Sequence, residues 1–195
     1  MKIGLDFDNT IVSYDQVFHD VAVEWKVVPE EIPASKLLIR DFLKNAGKEN
    51  IWTEMQGYVY GMRMDEAEVY PGFMKFIKRV KERSIAIISH KTLHPFLGPK
   101  YDLHASARKW IEKQLPFFNA ETIFFEPTKE KKIERIADFG CDLFIDDLPE
   151  IISSPLFPKK TSAILFDPEK MHRSLSIPQI KVLSSWAEIQ RELCL

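Results

Sequence analysis

The chain has 195 residues, of which 45% are hydrophobic and 29% are charged, a composition typical of an ordinary globular protein and not of a disordered one. Its 27 basic and 29 acidic side chains give a net charge of −2, without a long basic run, so the composition argues against a nucleic acid polymer as partner. No apolar run reaches about eighteen residues, and the sequence enters a strand without a signal segment, so we expect no membrane association and a cytoplasmic location.

The first predicted element is a short strand that ends in carboxylates. In the sequence KIGLDFDNTIV, residues 2–12, apolar residues alternate with small or acidic ones, a pattern that predicts a strand. The polar pair Asn9-Thr10 then predicts an abrupt exit from it. Asp6 and Asp8 are therefore expected where this strand ends.

A helical insertion follows the first strand. Across residues 14–70 apolar side chains recur at helical spacing, and no convincing strand pattern appears. The turn signal Tyr-Pro-Gly at residues 70–72 ends this segment. We therefore expect a core of residues 1–13 and 71–195, with a small helical cap at 14–70.

The remaining sequence alternates strands with helices. An apolar, β-branched run at residues 84–90 predicts a strand buried on both faces. Further strands are predicted in the segments TIFFEP, LFIDDLP and TSAILFDP, and a last strand and helix in VLSSWAEIQREL. Between TIFFEP and LFIDDLP, Thr128 is expected to cap a helix from Lys129 to about Asp138, with Gly140 as the residue that ends it. This alternation predicts a parallel, Rossmann-like sheet flanked by helices.

Polar groups follow several of these strands at the point where each strand ends. Ligands of parallel α/β sheets bind beyond the carboxyl ends of the strands. The groups expected to converge there are Asp6, Asp8, Ser89, Asp146 and Asp147. Because such carboxylates repel one another, a cation is expected among them. Ligands that are all oxygen favour a hard ion such as Mg²⁺, which often shares its site with a substrate phosphate.

At these residues the sequence resembles the haloacid dehalogenase (HAD) superfamily of hydrolases, in its phosphatase branch. The resemblance rests on four motifs in order: DFDNT after a hydrophobic strand, Ser89 after IAII, a lysine at the start of a later helix, and Asp146-Asp147 after LFI. Each motif is common alone, since an isolated Asp-x-Asp more often caps a turn. The ordered set is specific, and it covers about residues 1–12 and 71–150.

The resemblance implies two roles for two carboxylates. Asp6 is expected to attack phosphorus and form an aspartyl-phosphate, while Asp8 protonates the leaving oxygen and later deprotonates water. Mg²⁺ is expected to bind the Asp6 carboxylate, the Asp8 backbone carbonyl and Asp146, with Asp147 acting through water or orienting the others. The dehalogenase branch lacks an acid at the position of Asp8, so this residue favours phosphate chemistry.

The same resemblance implies a phosphate-binding set. Ser89 and the backbone around Asn9 are expected to hold phosphate oxygens, and Thr10 shapes the loop. Three lysines compete for the remaining position, and the expected one is Lys132, because it precedes Asp146 by one short helix and a glycine turn, with Lys129 as the alternative. The rest of the group, Lys131 included, is expected on a solvated face.

Two residues directly after Ser89 are candidates for binding the substrate. His90 and Lys91 follow the strand end, so both are predicted to contact substrate, although surface or packing roles are equally compatible with the sequence. The two cysteines, Cys141 and Cys194, form neither a disulfide framework nor a metal-binding spacing, and both are expected to be reduced and unreactive.

The sequence thus predicts a Mg²⁺-dependent phosphatase that hydrolyses a small phosphorylated metabolite. Two alternatives remain open. A phosphotransferase or phosphomutase of the same fold would pass the phosphoryl group to a hydroxyl instead of water. A non-catalytic protein would only bind a phosphorylated ligand, but it would need neither the nucleophile nor the general acid.

Overall fold

The computed structural model describes residues 1–80, 82–172 and 180–194. The chain divides into two compact units. The first contains Met1–Val12, Val69–His90 and Phe118–Leu195, and the second contains Ser13–Glu68 and Lys91–Phe117. Each unit is therefore assembled from separate stretches of the sequence.

Eight strands and eight α-helices make up the described chain. The strands are β1 (Lys2–Leu5), β2 (Val12–Ser13), β3 (Glu68–Val69), β4 (Ser84–His90), β5 (Ile123–Glu126), β6 (Leu143–Asp146), β7 (Ser162–Phe166) and β8 (Ile180–Leu183). The helices are α1 (Asp15–Glu24), α2 (Lys36–Asn45), α3 (Glu49–Gly61), α4 (Phe73–Val80), α5 (Leu103–Gln114), α6 (Lys129–Phe139), α7 (Pro149–Ile152) and α8 (Trp186–Glu192). Short 3₁₀ turns lie at Met64–Glu66 and Ala120–Thr122.

A six-stranded sheet forms the centre of the first unit. Its order is β5-β4-β1-β6-β7-β8, and every described pairing between neighbours is parallel. The inner strands β1, β4 and β6 are almost wholly buried, as their runs of apolar residues require when helices cover both faces. The predicted Rossmann-like parallel sheet with flanking helices is confirmed.

The second unit is helical. It contains α1, α2 and α3, which lie in the predicted insertion, and also residues 91–117 with α5, which the sequence analysis placed in the core. Trp110 of α5 explains this grouping, because its indole is buried and donates a hydrogen bond to the Ala67 carbonyl at 2.8 Å. Among the described residues, no helix combines the length and hydrophobicity that a bilayer span requires.

Gly4, in the middle of β1, allows the sheet to pack closely. A Cβ atom at this position would lie 2.5 Å from Cδ2 of Phe144 and 2.7 Å from Sγ of Cys141, well inside van der Waals contact. We predict that Gly4→Ala lowers the free energy of unfolding by about 1–3 kcal/mol through overpacking, measured by urea denaturation. The Phe144→Leu substitution removes the ring edge, so in that background Gly4→Ala should lower the free energy of unfolding by less. An equal loss in both backgrounds would refute the clash.

The two cysteines differ in exposure, and the expectation that both are unreactive stays a prediction. Cys141 is buried, and burial raises the pKa of its thiol to about 12, whereas Cys194 is exposed. Since the thiolate is the reactive form, we predict that a disulfide reagent at pH 8 titrates one thiol in the folded protein and two in guanidinium chloride. Rapid reaction of two thiols without denaturant would contradict the packing of Cys141.

Candidate active site

Three neighbouring strands bring their carboxyl ends to one edge of the sheet. Strand β1 lies between β4 and β6, and its Leu5 is in register with Ile87 on one side and Ile145 on the other. Asp6 follows Leu5 directly, Ser89 lies near the end of β4, and Asp146 ends β6. The parallel register therefore sets these three side chains next to one another.

Asp6 is buried at the centre of this edge, with 3% of its surface exposed. Its backbone N–H donates to the Ile145 carbonyl at 2.9 Å, which fixes the start of the loop after β1. Its Oδ1 accepts hydrogen bonds from Ser89 Oγ at 3.0 Å and from Lys132 Nζ at 2.6 Å. The carboxylate is thus held in one orientation by a hydroxyl and an ammonium group.

Lys132 reaches the site from the first turn of α6. Thr128 caps this helix by accepting the Lys131 N–H at 3.2 Å, and Gly140 ends it in the left-handed conformation, both as predicted. The Lys132 ammonium is wholly buried between Asp6 and Asp146, 2.6 Å and 2.7 Å from their oxygens. Burial lowers the pKa of Lys132, but the two carboxylates outweigh it and hold the pKa above its usual value. The side chain is therefore charged at neutral pH.

The other two candidate lysines lie on the surface. Lys129 forms an ion pair with Glu150 at 2.8 Å, and Lys131 forms one with Glu134 at 2.6 Å. Both ion pairs are solvent-exposed, of a kind that contributes little to stability. Of the three lysines, the structure brings Lys132 to the carboxylates.

Asp146 presents an oxygen that suits a cation. The residue is wholly buried, and its Oδ1 accepts the Leu148 N–H at 3.0 Å. Its Oδ2 forms an ion pair with the Lys132 ammonium, 2.7 Å away. Burial raises the pKa of Asp146 to about 6, against the opposing effect of Lys132. A divalent ion held by this carboxylate would favour its ionised form.

Three acids form a group with the dimensions of a metal site. One carboxylate oxygen from each of Asp6, Asp146 and Asp147 lies within 4.8 Å of the other two. These hard oxygen donors, of which Asp6 and Asp146 are buried, fit Mg²⁺. The Asp8 carboxylate is outside this group, and the ligand expected from Asp8 is its backbone carbonyl.

The loop after β1 folds back over the same edge. Phe7 O accepts the N–H groups of Ile11 and Val12 at 3.0 and 3.1 Å, and Asn9 adopts a left-handed backbone with φ of 59°. Asparagine tolerates this conformation better than most residues. Asn9 Nδ2 donates to Asp147 Oδ2 at 3.2 Å, which connects the loop to the end of β6.

Thr10 lies deeper in this loop and is wholly buried. Its hydroxyl is 3.4 Å from Asp6 Oδ2 and 3.5 Å from Asp147 Oδ1, so both hydrogen bonds are long. Its backbone carbonyl accepts a hydrogen bond from the indole N–H of Trp186 at 3.1 Å. Trp186 was not among the predicted site residues, because the segment VLSSWAEIQREL predicts a final helix but not where the indole ring points.

The two candidates that follow Ser89 lie in different units. His90 ends β4 and is half-buried, and burial, with the positive charges of Lys132 and Lys129, lowers its pKa. Lys91 belongs to the second unit, where its buried ammonium lies 4.8 Å from the centre of the Tyr60 ring. Substrate contact by either residue stays a prediction.

Comparison with solved structures identifies the fold. A HAD-superfamily hydrolase from Ehrlichia chaffeensis superposes with a TM-score of 0.57 at 15% identity, covering 99% of this chain and 95% of that one. The HAD-hydrolase YfnB from Bacillus subtilis, bound to magnesium, gives 0.58 at 14% identity, with 100% and 98% covered. A HAD family hydrolase from Deinococcus radiodurans, with bound phosphate and sodium, gives 0.62 at 11% identity, with 99% and 94% covered.

These similarities lie in the fold, since the sequences are only 11–15% identical. No protein-family model and no curated protein matches the sequence. The chain therefore has the fold of the HAD-superfamily hydrolases, in agreement with the resemblance found in its motifs.

Proposed function

We propose that this chain, which has the HAD-hydrolase fold, is a Mg²⁺-dependent phosphatase that hydrolyses a small phosphomonoester through an aspartyl-phosphate on Asp6. One observation carries the proposal: Asp6 is buried at the strand edge with one oxygen held by Ser89 and Lys132. This arrangement orients a carboxylate and places positive charge beside it, as a nucleophile that attacks an anionic phosphoryl group requires.

The chemical step divides between the two aspartates of the loop. Oxygen Oδ2 of Asp6, which lies opposite the oxygen bound to Lys132, attacks phosphorus and forms the new P–O bond as the ester P–O bond breaks. Asp8 gives its proton to the departing alkoxide. It then removes a proton from the water that attacks the aspartyl-phosphate, which releases inorganic phosphate and restores both carboxyl groups.

The remaining residues bind and orient the phosphoryl group. Ser89 and Lys132 would donate to its oxygens, because both already donate to Asp6 at the place where these oxygens approach. Asn9 and Thr10 hold the loop whose backbone lies at the same edge. Asp6, Asp146 and Asp147 would hold Mg²⁺, which when bound offsets the repulsion between the nucleophile and the phosphate.

The acid at position 8 supports phosphatase chemistry over dehalogenation. A dehalogenase releases a halide, which needs no proton, whereas an alkoxide leaving group does. A small phosphorylated metabolite is the substrate class we favour, because a helical insertion after the first strand accompanies small substrates in proteins that the sequence resembles.

The proposal is tested by phosphate release from p-nitrophenyl phosphate and a panel of phosphorylated sugars and nucleotides, each with Mg²⁺ and with EDTA. We expect release that requires Mg²⁺ and needs no added acceptor. Turnover that appears only when a hydroxyl acceptor is supplied would indicate a phosphotransferase. Binding of phosphorylated compounds without turnover would indicate the non-catalytic alternative.

Metal binding can be measured without turnover. Mg²⁺ at about 100 times its dissociation constant should stabilise the folded protein by about 2.7 kcal/mol, which raises the melting temperature by about 5–10 °C for a chain of this size. Asp146→Asn should abolish most of this increase, because it removes a charged ligand. Asp138→Asn, which removes an exposed acid of α6, is the control and should retain it. An unchanged increase in Asp146→Asn would contradict the metal site.

A further inference from the structure

The loop that carries Asp6 and Asp8 is held from a part of the sequence far from it. Trp186 and Thr10 are 176 residues apart, yet the indole N–H of Trp186 donates to the Thr10 carbonyl at 3.1 Å. Both residues are wholly buried. A buried carbonyl that loses its donor costs about 1–3 kcal/mol, so this bond favours one conformation of the loop.

The Trp186 ring is packed among other aromatic side chains. Its centroid lies 5.0 Å from that of Phe73 and 4.7 Å from that of Phe76, both in α4, and 5.5 Å from that of Phe166 at the end of β7. Aromatic contacts of this kind favour particular ring orientations. At the helix start, Ser185 caps α8 by accepting the Glu188 N–H at 3.2 Å. The direction of the indole N–H is therefore set by packing on several sides.

Thr10 transmits this constraint to the carboxylates. Its carbonyl is held by Trp186, and its hydroxyl lies 3.4 Å from Asp6 Oδ2. Two residues earlier, Asp8 pairs in a β-bridge with Val12. A displacement of Thr10 would thus change the placement of both aspartates of the loop.

We propose that Trp186 is a positioning residue that fixes the loop after β1, and with it the separation and aim of Asp6 and Asp8. The proposal rests on the phosphatase function proposed above. Trp186 is wholly buried and acts through the Thr10 carbonyl.

The test is Trp186→Phe, which removes the donor and retains an aromatic ring. Misplacement of catalytic groups by about 1 Å costs about 100-fold in rate, so we expect kcat to fall about 10- to 100-fold with KM changed less than threefold. Trp110→Phe is the matched control, because Trp110 is also buried and donates its indole N–H to a backbone carbonyl. It should lose stability but keep kcat within about twofold.

The dependence on the leaving group separates positioning from a general loss of stability. Glycerol phosphate needs a proton from Asp8 when its alkoxide departs, whereas p-nitrophenolate departs readily without one. Trp186→Phe should therefore lose at least about fivefold more kcat on glycerol phosphate than on p-nitrophenyl phosphate. Equal losses on both esters, or an unchanged kcat, would overturn the proposal.

Hydrogen exchange tests the same contact without turnover. The N–H groups of Ile11 and Val12 donate to Phe7 O inside the loop, so in Trp186→Phe their exchange should accelerate at least tenfold relative to amides of β1. The Trp110→Phe variant should leave this ratio unchanged. If wild-type protein hydrolyses no ester, the proposed function fails. The exchange rate of the Ile11 and Val12 amides relative to those of β1 still shows whether Trp186 holds the loop. If this relative rate is the same in Trp186→Phe as in wild type, the positioning role is overturned.

A second substitution applies if Trp186→Phe does not fold. Phe76→Leu weakens the aromatic packing around the Trp186 ring and retains the indole N–H. Like Trp186→Phe, it should lower kcat more on glycerol phosphate than on p-nitrophenyl phosphate, but by a smaller factor. An unaltered kcat and ratio in a folded Phe76→Leu protein would then count against the positioning role.

Discussion

Asp6→Asn is expected to lower phosphatase turnover by at least about 10⁴-fold, the scale seen when a covalent nucleophile is removed from an enzyme. The amide has the shape of the carboxylate but is a very poor nucleophile. Its oxygen can still accept hydrogen bonds from Ser89 and Lys132, and Lys132 retains Asp146 as a counter-ion at 2.7 Å. The variant should therefore fold, which circular dichroism and the melting temperature check.

Asp138→Asn is the matched control for this substitution. It makes the same chemical change at an exposed residue of α6, and its turnover should be unchanged. Burst-phase kinetics add a second measurement, since wild-type protein should accumulate phosphate on one residue and Asp6→Asn should not. Turnover within about tenfold of wild type in a folded Asp6→Asn protein would remove Asp6 as the nucleophile.

Lys132→Met is expected to have the largest effect on stability, a loss of about 3–5 kcal/mol in the free energy of unfolding. Methionine fills a similar volume, but the substitution removes the ammonium that lies between two buried carboxylates. The charges of Asp6 and Asp146 would then repel each other in a buried environment. Guanidinium denaturation in EDTA measures the loss.

Two neighbouring lysines supply the controls. Lys129→Met and Lys131→Met each break an exposed ion pair, so each should change stability by less than about 1 kcal/mol. Added Mg²⁺ should reduce the deficit of Lys132→Met, because a cation among the carboxylates replaces part of the lost charge. A Lys132→Met protein as stable in EDTA as the Lys131→Met protein would show that the buried charges are compensated in another way.

The sheet was predictable because its strands carry a strong local signal. The run at Ser84–His90 is apolar and β-branched, and its short length and composition favour a strand buried on both faces over a helix. The two-residue strands β2 and β3 and the four-residue helix α7 were missed, since segments of that length show no periodicity. Their conformation depends on contacts with the rest of the fold.

The sequence also did not predict that α5 belongs to the same unit as the helical insertion. The sequence predicts a helix from about Leu103 to Gln114, but it does not say which surface of the protein this helix covers. The hydrogen bond from Trp110 to Ala67 joins residues 43 positions apart. Such pairing is decided by tertiary packing and not by local propensity.

Within the candidate site, it was easier to predict which residues take part than which side chains contact one another. The acids follow strands, so their common location at one edge follows from a parallel sheet. The choice among three lysines in one helical turn requires the orientation of α6, which places Lys132 inward and Lys129 toward Glu150. Trp186 carried no signal of its contact with Thr10, because that contact depends on the packing of α8 against α4 and β7.

The order of the sheet has a consequence for how the protein folds. Asp6 receives Ser89 from 83 residues away and Lys132 from 126 residues away, and these partners meet only after the middle strands have paired. Chains dominated by such distant contacts fold in milliseconds to seconds, because the entropy of loop closure is lost before the contacts form. During synthesis, a nascent chain that ends before β6 would hold Asp6 without Asp146. The proposed activity would therefore appear in one late step, when β6 pairs beside β1.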